Sequence, residues 1–170
     1  TLILAGNTTS KNDTLLGGGG DDILQVGYKG LAAASASDLE ATDKFTGNGG
    51  TDTFSIVNTT AITAVIDFSV VSDVEQAVTS KDSTGAVDLD LGAVASTDTI
   101  PTTFTVDGSS VASSTGTLLF NKSETETNLT TAFTIKGGLN NDTLYGAKGA
   151  DTITTGAGTN TAGGNGGADT

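Results

Sequence analysis

Aspartates recur at nine-residue intervals in this chain, with an apolar residue two places on, and that period constrains the fold more than any other feature. Asp142, Asp151 and Asp169 share one register, with Asn160 at the missing step. Leu144, Ile153 and Ala162 take the apolar place, and Ile135 extends that column one step back. Asp13 and Asp22 are followed in the same way by Leu15 and Leu24, and Asp43 and Asp52 by Phe45 and Phe54. Residues 17–25, GGGGDDILQ, have the form G-G-x-G-x-D-x-apolar-x, and 47–55 read GNGGTDTFS. The C-terminal run is GGLNNDTLY (137–145), GAKGADTIT (146–154), TGAGTNTAG (155–163) and GNGGADT (164–170).

This repeat resembles the nonapeptide of the RTX family of calcium-binding secreted proteins. The pattern is chemically sensible. Glycines at the first, second and fourth places allow positive φ and turn backbone carbonyls toward a common point. An Asp at the sixth place adds a carboxylate, giving an all-oxygen site suited to Ca²⁺ at roughly 2.3–2.6 Å. The apolar eighth residue opens a short strand and points inward.

The resemblance implies calcium ligation by Asp13, Asp22, Asp43, Asp52, Asp142, Asp151 and Asp169, with Asn160 standing where a further Asp belongs. The turn glycines it implicates are Gly17, Gly18 and Gly20, Gly47, Gly49 and Gly50, Gly137 and Gly138, Gly149, Gly156 and Gly158, and Gly164, Gly166 and Gly167. In an RTX β-roll two nonapeptides make one turn, and an ion lies between turns stacked on the same side. Asp142 is therefore expected to share an ion with the loop 155–160, and Asp151 with the loop 164–169. Several positions depart from the pattern. Asn160 weakens its site, Asn140 stands at a fourth-place glycine where left-handed geometry is expected, and Ala147 and Asn165 replace second-place glycines. The Asp13 and Asp43 repeats lack a preceding glycine turn.

Composition agrees. Seven basic residues, all lysine, face twenty acidic ones for a net charge of −13, which argues against nucleic acid and anionic membranes as partners. Sixteen of the acids are Asp, the better turn ligand and the poorer helix former. Cys, Met, Trp and His are absent, so no disulfide framework and no ordinary zinc, copper or haem site is available, and oxygen ligands for a hard cation remain. No apolar run is long enough to span a bilayer.

Three segments are expected: N-terminal repeats over 1–55 with a loop inserted at 27–42, a strand-rich middle over 56–134, and C-terminal repeats over 135–170. The insertion is read as a surface loop with one helical turn at Leu31–Ala34. Short alternating strands are expected at 54–57, 61–68, 74–78, 87–91, 104–106, 118–120 and 133–135, with turns at 81–85 and 107–110. The fold class is all-β: calcium-bound parallel β-roll repeats flanking a β-helix or sandwich-like middle. Both ends interrupt a repeat, which reads as a piece of something longer.

The middle, with VVSDVEQAVTS (70–80), VDLDLGA (87–93), FTVDGSSV (104–111) and FTIKGGLNNDTLYG (133–146), is similar to bacterial surface-layer and large RTX surface proteins. That implies a secreted structural segment that folds and self-associates into a surface array on extracellular Ca²⁺. An adhesin stalk, or the tail of a type I-secreted hydrolase whose catalytic domain lies elsewhere, are the alternatives. An enzyme is not expected, because His, Cys, H-E-x-x-H, G-x-S-x-G and a P-loop lysine are all missing. Asp88 and Asp90 could form a paired-carboxylate site but are read as the solvated face of an amphipathic strand. The Asn-x-Ser/Thr triplets at Asn7, Asn12, Asn58, Asn121, Asn128 and Asn141 follow from composition and receive no function. Sixteen aspartates repelling one another on a glycine-rich chain keep it loose without calcium. Extracellular sites of this type bind with Kd of about 10⁻⁴–10⁻³ M.

Overall fold

A computed structural model describes residues 1–4, 13–27, 43–58, 64–67, 71–79, 83–90, 101–109, 117–121 and 129–170. Fifteen short strands run along them, and the described residues contain no helix. The helical turn expected at 31–34 lies outside the described residues.

Three parallel sheets account for every strand. One face of the molecule is a seven-stranded sheet of β1 (Leu2–Leu4), β3 (Ile23–Val26), β5 (Thr53–Ile56), β8 (Gln76–Thr79), β10 (Thr103–Asp107), β12 (Ala132–Lys136) and β14 (Thr152–Thr154), in that order. The other face begins as a three-stranded sheet of β2 (Thr14–Gly19), β4 (Lys44–Gly49) and β7 (Val71–Ser72). It continues as a five-stranded sheet of β6 (Ala64–Asp67), β9 (Val87–Asp90), β11 (Leu118–Phe120), β13 (Thr143–Tyr145) and β15 (Thr161–Gly163). Apart from β6 and β7, which follow one another in these last two sheets, the chain alternates between the seven-stranded sheet and the other two, and neighbours within a sheet are one coil apart. Pairing is parallel throughout, as crossover connections through the opposite face demand. The middle of the chain is thus a continuation of the stack and not a sandwich, which would need antiparallel pairs.

Strand side chains alternate, and the inward set fills the space between the faces. Leu24, Phe54, Ile56, Phe45, Leu89, Phe120, Phe133, Ile135 and Leu144 are all fully buried there. The nine-residue apolar column seen in the sequence divides between the faces: Ile135 pairs with Ile153 on one, Leu144 with Ala162 on the other. Coil length changes along the stack. Equivalent residues are 30 apart in the first coils and 18 apart in the last ones, where two nonapeptides close one coil.

The middle coils keep the backbone path but change the chemistry. On the seven-stranded face the position of the repeat Asp is filled in turn by Asp22, Asp52, Glu75, Phe104, Phe133, Asp151 and Asp169. On the opposite face it is filled by Val87, Leu118, Asp142 and Asn160. Phe104, Phe133, Val87 and Leu118 are all buried, and Phe133 packs edge-on against Phe104 at 6.2 Å and Phe120 at 5.2 Å. Aromatic packing holds the centre where carboxylates hold the ends.

Two strand expectations need correcting. A strand was expected over 74–78, but Asp73 takes φ +49, a turn conformation, and the strand starts only at Gln76 with Val74 buried in the turn. Asp88 was expected on a solvated face, yet it is only 2 % exposed. Its strand lies inside the five-stranded sheet between β6 and β11, so alternation alone does not place an outward side chain in water. Phe133→Ala should lower stability by about 3–5 kcal/mol in excess calcium, measured by denaturant unfolding; a loss below about 1 kcal/mol would remove the aromatic stack as the central support.

Candidate calcium sites

From Asp43 onward each repeat Asp reaches back one coil. Its Oδ1 accepts the backbone N–H of the residue that occupies its own place in the coil before. Asp13 N–H donates to Asp43 at 2.9 Å and Asp22 N–H to Asp52 at 2.8 Å. In the C-terminal block, Leu118 N–H donates to Asp142, Phe133 N–H to Asp151, and Asp151 N–H to Asp169, at 2.8, 2.8 and 3.0 Å. Where the next coil offers Leu118 in place of an acid, the Val87 N–H turns to the Thr117 carbonyl at 2.8 Å. A second, outer contact runs forward from the fifth place: Asp21 accepts the Thr51 N–H and Asn141 the Thr159 N–H, both at 2.8 Å.

This ladder stacks the loops as three pairs: 17–22 on 47–52, 137–142 on 155–160, and 146–151 on 164–169. Asp142 thus neighbours loop 155–160 and Asp151 loop 164–169, the arrangement that the expected sharing of ions requires. Asp13 and Asp43 stack on each other at the opposite edge from Asp22 and Asp52, and the two blocks do not meet. Asp43, Asp52, Asp142 and Asp151 are buried, whereas Asp169, in the last loop, is exposed.

Loop backbones fall into two forms. In 17–22, 47–52, 155–160 and 164–169 the second and fourth residues are left-handed: Gly18 and Gly20, Asn48 and Gly50, Gly156 and Gly158, Asn165 and Gly167. In 137–142 and 146–151 they are not, and the second-place N–H of Gly138 or Ala147 donates to Oδ2 of the loop's own Asp at 2.7 or 2.8 Å. Asn140 therefore does not take the left-handed geometry expected of it. Ala147 fits because this loop form asks for no positive φ there.

The first-place glycine leaves a cradle that oxygens share. A Cβ on Gly17 would stand 2.6 Å from the Gly47 carbonyl oxygen and 3.1 Å from Asp22 Oδ2. On Gly47 it would collide with the Asp73 carbonyl and Asp52 Oδ2. Gly137 faces the Thr155 carbonyl and Asp142 Oδ2, and Gly146 faces Asp151 Oδ2 and the Gly164 carbonyl. Asp52 Oδ2 is buried with no hydrogen-bond donor among the described residues. An ionised oxygen buried without a partner is costly, and a cation resolves that cost. Among the described residues no three carboxylates cluster, so any ion here is held by one carboxylate per loop plus backbone carbonyls.

Four nonapeptide copies, over residues 7–27 and 134–170, match the family model of the RTX calcium-binding nonapeptide repeat. These blocks are RTX calcium-binding repeats. RTX repeats bind calcium, and the oxygen cradles above fit that ion. Gly47–Asp52, outside the matched residues, has the same left-handed pair as the RTX loop 17–22 and is joined to it by the Asp52 ladder bond. No curated protein and no solved structure matches the chain.

Asn160 explains itself in this setting. Its Oδ1 keeps the ladder bond to the Asp142 N–H at 2.8 Å, while its amide nitrogen donates to the Ala157 carbonyl at 3.0 Å. It holds the stack without a charge and occupies a carbonyl that an ion would otherwise take. One ladder residue escaped the sequence reading: Glu75 Oε2 accepts the Asp52 N–H at 2.7 Å. Its signal was Ala77 at the apolar place two residues on, hidden because no glycine turn precedes it. Asn58 and Asn121 are buried structural amides, with Nδ2 donating to the Ala86 and Gly146 carbonyls.

Burial raises the Asp142 carboxyl above its usual 3.8, against the pull of the Leu118 and Gly138 amides. Burial does the same at Asp151 against the Phe133 and Ala147 amides, and the neighbouring Asp169 charge adds to the rise. A raised folded-state value means the metal-free fold holds these protons more tightly than the unfolded chain. Their contribution is present at acid pH and is lost as pH climbs through the folded value. In chelator, the far-UV β signal should therefore increase as pH is lowered from about 7 to about 4.5, and the increase should shrink in Asp142→Asn/Asp151→Asn. A second expectation concerns affinity: Asn160→Asp should tighten calcium binding by calorimetry, and an unchanged isotherm would exclude loop 155–160 as a ligand source.

Proposed function

We propose that this segment of a secreted calcium-binding protein is a non-catalytic structural element of a bacterial surface layer, folded by extracellular Ca²⁺ and associating laterally into an array. The observation that carries this reading is the distribution of the buried repeat carboxylates. Asp52, Asp142 and Asp151 sit in the two end blocks, while Phe104, Phe120 and Phe133 hold the coils between them. Such a stack is closed by calcium at its ends and by apolar packing at its centre. A hydrolase tail would need only the nonapeptide blocks. Here the middle strands join both blocks into one seven-stranded sheet, which suits a load-bearing surface element better.

The ions implied are those between loops 17–22 and 47–52, 137–142 and 155–160, and 146–151 and 164–169. Asp22, Asp52, Asp142, Asp151 and Asp169, with the turn glycines and their carbonyls, are the ligands in this reading. Asp13 and Asp43 serve the ladder first, because no glycine turn accompanies them. Absence of catalysis is supported by the repeat carboxylates being engaged in the ladder and by Asp88 being buried. Net charge of −13 with no arginine disfavours nucleic acid and anionic membranes.

Each ion contributes by mass action, about 2.7 kcal/mol at one hundred times its Kd. Far-UV circular dichroism during a calcium titration should show a cooperative gain of β signal, with magnesium inert. A chain equally folded in chelator would overturn calcium-gated folding. Electron microscopy of the calcium form separates the finer readings: ordered sheets support the array, and dispersed single particles favour a stalk or tail.

A further inference from the structure

We propose that a hard divalent cation of the calcium class binds where loop 47–52 meets the turn Asp73–Glu75, held by Asp52, Glu75 and the Asp73 carbonyl. This rests on the calcium reading above and extends it to a turn with no glycine, outside the matched repeats.

Strand register places the partners. Phe45 lies opposite Val71 and Thr46 opposite Ser72, so Asp73 follows opposite Gly47. Thr53 lies opposite Gln76, so Glu75 stands opposite Asp52. The upper turn thus spans, with Val74 alone between its ends, what the lower loop spans with four residues. A glutamate makes up the reach: its longer side chain still brings Oε2 to the Asp52 N–H at 2.7 Å. Asp73 enters the turn left-handed, φ +49, and its carbonyl comes over the Cα of Gly47.

Two oxygens meet over Gly47, and the Glu75 carboxylate stands one coil on, at the Asp52 amide. Asp52 Oδ2 is fully buried without a donor among the described residues. In loops 137–142 and 146–151 the corresponding oxygen is satisfied by the second-place amide. In 47–52 that place belongs to Asn48, left-handed at φ +74, and no such bond forms. The Asp73 carbonyl meets the same cradle, and the half-buried Glu75 carboxylate lies beside it with a second negative charge. A proton would serve one of these oxygens; a cation serves both and balances the Glu75 charge. Gly47 is the requirement on the near side, since a Cβ would fill the space where the oxygens meet.

The test counts calcium bound per chain at saturation, by equilibrium dialysis of the 170-residue protein. Glu75→Gln keeps an acceptor for the Asp52 amide while losing the charge, and Asp52→Asn is isosteric. Glu75→Gln should bind one ion fewer than the parent, and a full count there would overturn the proposal; Asp52→Asn, which also lines the site between loops 17–22 and 47–52, should bind one or two fewer. A parent that binds no calcium would instead sink the calcium reading as a whole. Hydrogen exchange on the unmutated chain gives an independent readout: calcium should slow exchange at 47–52 and 73–75. Slowing at 137–169 with 73–75 unchanged would overturn the proposal while leaving the RTX sites standing.

Discussion

The stack depends on a side-chain oxygen from one coil accepting the first backbone amide of the coil before it. Seven such bonds occur among the described residues, made by Asp43, Asp52, Glu75, Asp142, Asp151, Asn160 and Asp169. Without them the amide that leads each strand would be buried and unpaired, a loss that parallel pairing does not repair. The same bond fixes where the carboxylate sits, with Oδ2 over a first-place glycine. Structure and metal site are therefore one arrangement: the oxygen that closes the coil also positions its partner oxygen for a cation.

Such an arrangement is conditional. Buried carboxylates that close the ends penalise the fold as long as they are charged and unaccompanied. The centre carries one buried carboxylate, Asp88, and is otherwise held without acids, because Phe133 meets Phe104 and Phe120 edge to face and Val87 and Leu118 replace the acids of the opposite column. One backbone path thus carries two means of closure, and the ends, not the centre, answer to the ionic surroundings.

Much of this was legible in the sequence wherever side chain and backbone carry the same signal. Asp142 and Asp151, each with an apolar residue two places on, stand at the heads of β13 and β14, and the same nine-residue register puts Asn160 and Asp169 beside them one coil on. The middle coils were harder, because Phe104 and Phe133 occupy the acid's place and erase the motif while keeping the register. Glu75 was invisible for a related reason: its turn is three residues shorter than a nonapeptide loop, so spacing from Asp52 carries no meaning. Asp88 misled because alternation says which face a residue takes, not whether that face is wet. Asn140 misled because the loop has two backbone forms, and sequence does not choose between them.

The ladder also has a direction. Every acid of the ladder completes the coil preceding it, so a coil joined in this way is finished only once its successor is in place. Assembly of the stack is then a ratchet with an arrow: each new coil locks the one behind it and leaves itself open. A break in the ladder should be felt unequally, loosening the coil on the N-terminal side of the missing acid more than the coil on the other. Two molecules with the same contacts and the same number of ions could on that account differ in how they come apart, according to which rung is lost.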